Sequence, residues 1–280
     1  MREVYREGTP PKSLRFLYCS PFGKPVLRLL TGRFVSKVAG KYLDGKCSRR
    51  HIRPYVKKHG IDLTQFEKED YRSFNAFFTR KIKSELRPFD SQFSSFVSPC
   101  DGKLSAYHVS EGLTFHVKGF HYTVESLLKS KELAKKYQGG ICVVLRLCVT
   151  DYHRYHYLDN GTKGENVFIK GRLHTVQPVA LEKRRVFTEN CREYTVMHTE
   201  RFGDVVQVEV GALMVGRIVN HHGAGEMKFG EEKGKFEFGG STIVLLLEKG
   251  RVSLDEEFFR NTEEGLETVV RCGERIGIKI

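Results

Sequence analysis

In Phe238-Gly239-Gly240-Ser241-Thr242 a hydroxyl follows a glycine carbonyl that no side chain screens. The apolar run from Thr242 to Leu247 comes next and reads as a strand buried on both faces. A serine held still by such a strand can attack its own preceding carbonyl, provided a base and its orienting acid lie nearby. Taken alone, the double glycine marks a turn or bulge and the serine merely starts a strand. Asp151-Tyr152-His153-Arg154-Tyr155-His156 offers two imidazoles directly after a second apolar run that ends at Val149. Imidazoles at a strand end can serve as acid and base near neutral pH, or be satisfied structural side chains. Histidines three apart also occur in zinc sites, but H-E-x-x-H and an evident third carboxylate are missing, so no metal is expected. Ser98-Pro99-Cys100-Asp101-Gly102 sets an aspartate in a Pro/Gly turn, where on its own Asp101 bonds local backbone.

These segments need strands to hold them. From about Phe96 the chain turns β-rich, with candidate strands at Leu104 to Val109, Ile141 to Val149, Val205 to Val210 and Leu213 to Val219. Val206, Val208 and Val210 alternate with Gln207 and Glu209, the period of a half-buried strand. One helix is expected over Val124 to Lys136, capped by Thr123. Another carries Phe74, Phe77, Phe78 and Ile82, with Ser73 or Asn75 as cap, and stops at Arg87-Pro88.

Ahead of this body the charge is concentrated. Of a net +13, residues 1–90 carry +12, from 21 basic and 9 acidic side chains. Leu27, Leu30, Phe34 and Val38 recur at helical spacing while Arg33, Lys37 and Lys41 step along another face, a basic amphipathic helix. Arg49, Arg50, Arg53, Lys57 and Lys58 follow at once, which favours a polyanionic membrane surface over packing alone. Nucleic acid is not the expected partner, since no zinc finger, RNP-like motif or recognition helix is found. No run reaches the roughly 18 apolar residues of a membrane-spanning helix, and no secretory or transit signal is read at the amino terminus. Seven cysteines without a C-x-x-C pair read as reduced, mostly buried thiols. The fold class expected is α+β: a β-rich antiparallel catalytic core over residues 91–280, with basic amphipathic helices over residues 1–90.

Ser98-Pro99-Cys100-Asp101-Gly102, Asp151-Tyr152-His153-Arg154-Tyr155-His156 and Gly239-Gly240-Ser241-Thr242, in this order along the chain, resemble the phosphatidylserine decarboxylases. The likeness extends to Phe74-Asn75-Ala76-Phe77-Phe78-Thr79-Arg80 with Arg87-Pro88, to Gly171-Arg172-Leu173-His174-Thr175-Val176, and to Val210-Gly211-Ala212 through Gly216. It covers roughly residues 70 to 250, and several ordered motifs are more specific than any one. Gly239 stands where the family usually has leucine, Cys100 where alanine is common, and Cys191 where glutamate is frequent.

The resemblance implies a proenzyme that cuts itself between Gly240 and Ser241, giving a large chain of residues 1–240 and a small chain of 241–280. His156 would activate Ser241 and Asp101 would orient His156. The hydroxyl attacks the Gly240 carbonyl, an N-to-O acyl shift gives an ester, and elimination leaves dehydroalanine, which hydrolyses to a pyruvoyl group and ammonia. That covalent cofactor, formed from Ser241, would form a Schiff base with phosphatidylserine and accept the electrons released with carbon dioxide, yielding phosphatidylethanolamine. His153 would assist decarboxylation by protonating the carbanion. The resemblance further implies a homodimer, bound peripherally to the cytoplasmic side of the cell membrane. Two alternatives are a pyruvoyl-dependent decarboxylase of a soluble amino acid such as tryptophan, and a non-catalytic membrane- or nucleic-acid-binding module.

Overall fold

The computed structural model describes residues 2–6, 8–213, 217–239 and 241–280. Alternating and continuous apolar segments assemble into a ten-stranded antiparallel sheet in an α+β fold. Its order is Val4–Tyr5, Glu267–Val270, Gly102–His108, Ile141–Leu147, Ser241–Leu247, Gly203–Val210, Arg192–Thr199, Gly161–Lys163 and Gly225–Met227, with Val167–Ile169 also on Arg192–Thr199. The Ser241–Leu247 strand lies in the middle, fully buried, because apolar side chains alternate to both faces. Val244 and Leu246 enter one core cluster, and Ile243, Leu245 and Leu247 the other. Ser241 pairs with Leu147 on one side, and Thr242 pairs with Val210 on the other. A break just before Ser241 would leave this strand hydrogen-bonded to both neighbours.

Local details depart from the periodicity, each for a physical reason. The basic helix is two helices, Gly23–Leu30 and Arg33–Asp44. Thr31 Oγ1 donates to the Leu27 carbonyl at 2.8 Å, and Gly32 turns extended before the second helix starts. Leu27 is therefore buried, and the outward apolar stripe is instead Phe22, Val26 and Leu29 followed by Phe34, Val38 and Tyr42. Phe22 and Phe34 are 81% and 77% exposed, too much for core packing to explain. No helix among the described residues is long and apolar enough to cross a membrane.

The expected Val124 to Lys136 helix breaks at Lys129, whose φ is +55°, into Val124–Leu128 and Lys131–Lys135. Thr123 does cap the first piece, in a capping box with Ser126. The Phe74 helix ends at Phe78, and Ile82 bridges to Phe66 instead. Of the segment Leu213 to Val219, only Ile218 and Val219 lie in a strand, Ile218–Asn220, and Met214, Val215 and Gly216 lie outside the described residues.

The Gly203–Val210 strand is buried on both faces rather than half-buried, because the small sheet of Arg154–His156, Ile218–Asn220 and Glu232–Phe236 supplies polar partners for its second face. Lys233 Nζ reaches Glu209 Oε1 at 2.7 Å, both side chains fully buried, and also reaches Asn220 Oδ1 at 2.7 Å. Gln207 Nε2 donates to the same carboxylate at 2.9 Å. Buried charges are tolerated only when paired and bonded in this manner.

Candidate active site

The central strand starts at Ser241, and its side chain is fully buried. Asn75 holds the preceding segment in place. Its Oδ1 accepts from the Phe238 amide at 3.0 Å while its Nδ2 donates to Asp44 Oδ1 at 2.7 Å. Ser73, whose Oγ accepts from the Ala76 amide at 3.2 Å, caps the short helix that presents Asn75. Gly239 has φ of +134°, a conformation that other residues rarely adopt. Glycine in place of leucine thus matches the local backbone here. Gly240, the other half of the expected scissile bond, lies outside the described residues.

His153 is the imidazole that meets the serine: its Nδ1 lies 3.2 Å from Ser241 Oγ. Its Nε2 lies 2.9 Å from the Cys148 carbonyl, which can only accept. This carbonyl therefore fixes the tautomer, with the proton on Nε2 and the Nδ1 lone pair accepting from the serine hydroxyl. Phe78 stacks on the ring at 4.1 Å between centroids. Burial, reinforced by the Arg80 cation, pushes the His153 pKa down to about 3.

His156 makes no hydrogen bond to Ser241. Its Nδ1 is 3.3 Å from Cys272 Sγ, and its backbone amide donates to the Pro99 carbonyl at 2.9 Å. Burial lowers its pKa to about 4, although the Glu232 and Asp101 carboxylates oppose that shift. Asp101 is clamped rather than free: Arg87 Nε and Nη2 donate to its two oxygens at 2.8 and 2.6 Å. The Cys272 amide adds a bond to Asp101 Oδ1 at 2.9 Å. Cys272 thus stands between Asp101 and His156, touching one through its amide and the other through its thiol. Its place was not legible from spacing, since it lies 171 positions from Asp101 and reads as an ordinary core thiol.

A cavity of about 550 Å³ borders the segment just before Ser241, lined among others by Phe238 and Gly239, by Leu147, the strand partner of Ser241, and by Cys148, Lys103 and Arg146; Ser241 itself is not on its wall. Both cations on its wall are already paired. Lys103 Nζ sits 2.7 Å from each oxygen of Asp151, and Arg146 binds Glu267 through two nitrogens. Asp151 Oδ2 also accepts from the Cys148 amide at 2.7 Å, fixing the loop whose carbonyl holds His153.

Two neutral imidazoles buried this deeply make stability depend on pH. Their folded pKa values lie below the usual 6.5, so between about pH 6.5 and 4 the unfolded chain binds more protons, and stability falls as pH falls. Each histidine should cost on the order of 2 kcal/mol at pH 5. The urea midpoint is expected to drop clearly between pH 7 and pH 5, with the buried His174, its pKa also lowered to about 4, adding to the fall; an unchanged midpoint would show that these rings are protonated without penalty.

The family described as phosphatidylserine decarboxylase matches residues 74–278. Phosphatidylserine decarboxylase proenzyme 2 of Clostridium acetobutylicum is 41% identical, over 99% of this chain and 96% of that relative. The phosphatidylserine decarboxylase proenzyme of Clostridium novyi is 42% identical, over 95% of this chain and 92% of its own length. That of Desulfitobacterium hafniense is 41% identical, over 96% and 92%.

Proposed function

Because this chain belongs to the phosphatidylserine decarboxylase family and is a decarboxylase, we propose that it cleaves itself before Ser241 and converts phosphatidylserine to phosphatidylethanolamine through the resulting pyruvoyl group. The observation that carries the reading is a buried serine hydroxyl, at the start of the central strand, donating to an imidazole of fixed tautomer beside a substrate-sized cavity. The pyruvoyl carbonyl supplies an electron sink for the pair released with carbon dioxide. The residues around position 241 fit it: the side chain is enclosed, an imidazole touches it, and the adjoining Thr242 Oγ1 is buried without a partner.

His153 is the side chain placed to hold or move a proton at position 241. His156 is the proposed base of self-cleavage, because Glu232 and Asp101 favour its charged form whereas Arg80 opposes charge on His153. Proton transfer to His156 requires the Ser241 hydroxyl to leave His153. Asp101, anchored by Arg87, orients the His156 region through Cys272.

The outward stripe of Phe22, Leu29, Phe34 and Val38, flanked by Arg33, Lys37 and Lys41, supports peripheral binding to an anionic leaflet. A soluble amino-acid substrate leaves that stripe without a use. The test is intact mass together with a vesicle assay. Two chains split before Ser241, a carbonyl-reagent-sensitive release of carbon dioxide from phosphatidylserine, and co-sedimentation with anionic vesicles that fades with salt are expected. Fully active protein of undivided mass 32.2 kDa would reject the proposal.

A further inference from the structure

We propose that the apolar groove bounded by Ala39, Leu43, Tyr55, Phe74 and Phe238 receives an acyl chain of the lipid substrate. The groove has a volume of about 400 Å³ and runs between the helices Arg33–Asp44 and Ile52–His59. His51 and Lys58 are its only ionisable side chains apart from the tyrosines Tyr42 and Tyr55, so it offers a polar ligand little to bond.

Its position argues for the occupant. Phe238 lines both this groove and the cavity bordered by Gly239, so one side chain borders both spaces. Ring contacts continue from there to the reacting position. Phe238 packs edge-on against Phe74 at 5.1 Å and Phe78 at 5.0 Å, Phe78 stacks on His153 at 4.1 Å, and His153 touches Ser241 Oγ. At the other end Tyr42 lines the groove and also belongs to the exposed stripe with Phe34 and Val38. The groove therefore lies between the surface proposed to face the bilayer and the aromatic side chains packed around the place where the amine must react. A phospholipid whose amine reaches position 241 needs such a path, because every methylene drawn out of the bilayer into water is unfavourable. The inference rests on the reading that the substrate is a phospholipid.

Filling the groove tests it. Ala39→Trp, with Ala39→Met as the milder variant, is compared with unaltered protein, folding being read from the melting temperature and from self-cleavage. Dibutanoyl- and dioctanoyl-phosphatidylserine are both presented as monomers. The tryptophan variant should lose at least about tenfold in kcat/KM for the dioctanoyl substrate and stay within about twofold for the dibutanoyl one. A separate arm needs no catalysis: Ser241→Ala protein should bind monomeric dodecylphosphocholine by calorimetry, and Ala39→Trp in that background should abolish the heat. Equal losses on both substrates, or unchanged dodecylphosphocholine binding, overturn the assignment. Chain-dependent binding in a protein that decarboxylates neither substrate would retain the groove and reject the catalytic reading instead.

Discussion

Ser241→Ala is expected to remain one chain of full length and to release no carbon dioxide above background. The hydroxyl is the only group that can attack the preceding carbonyl from its own residue, and the same residue supplies the atoms of the proposed pyruvoyl. One substitution therefore removes both the cut and the electron sink. The fold should survive, because the strand is held by backbone pairing to Ile141–Leu147 and Gly203–Val210 and by five apolar side chains. The loss is one hydrogen bond and an unsatisfied His153 Nδ1, together about 1–3 kcal/mol. Denaturing electrophoresis, intact mass and a urea midpoint separate these effects. Two fragments from the alanine variant would show that another group makes the cut, whereas an unfolded variant would assign Ser241 a structural role that its contacts do not suggest.

The central strand was legible because five consecutive apolar residues, Ile243 to Leu247, can be buried on both sides only within a covered sheet. Taken singly, Asp101 read as a turn residue and His153 as either a satisfied structural ring or an acid–base group; their chemical roles were legible only from the ordered likeness of several motifs to the family. Pair geometry was not. Nothing in the spacing of His153 and His156 says which ring turns inward; that is decided by the Cys148 carbonyl, the Phe78 face and Cys272, which come from separate parts of the chain. The second face of Val205 to Val210 was misjudged for the same reason. Gln207 and Glu209 look solvent-facing until Lys233 and Asn220 arrive from segments more than ten residues away. The amphipathic amino-terminal segment was read correctly as helical and basic, but Leu27 and Phe34 were placed on one face, and the break at Thr31-Gly32 turns the first inward and leaves the second exposed.

The two histidines should separate cleavage from turnover. Taking the Ser241 proton makes an imidazolium, and its surroundings decide how readily a ring can hold that charge. Burial lowers both, but around His156 Glu232 and Asp101 favour the cation against Arg154, while around His153 Arg80 and Lys103 oppose it and the Cys148 carbonyl alone favours it. His156→Ala is therefore expected to leave most of the protein uncleaved, with self-cleavage slowed about 10²-fold or more. His153→Ala should still divide into two chains, since the charged form of His156 keeps its partners, yet turnover per cleaved molecule should fall by about 10²–10⁴ because the imidazole that touches position 241 is gone. Following the fraction cleaved with time by electrophoresis, and normalising carbon dioxide release to that fraction, keeps the two steps apart. The reverse pattern, with His153→Ala undivided and His156→Ala dividing at the normal rate, would transfer the base role to His153. In that case the hydrogen bond already present between His153 Nδ1 and Ser241 Oγ is the reactive one, and no movement of the hydroxyl is needed.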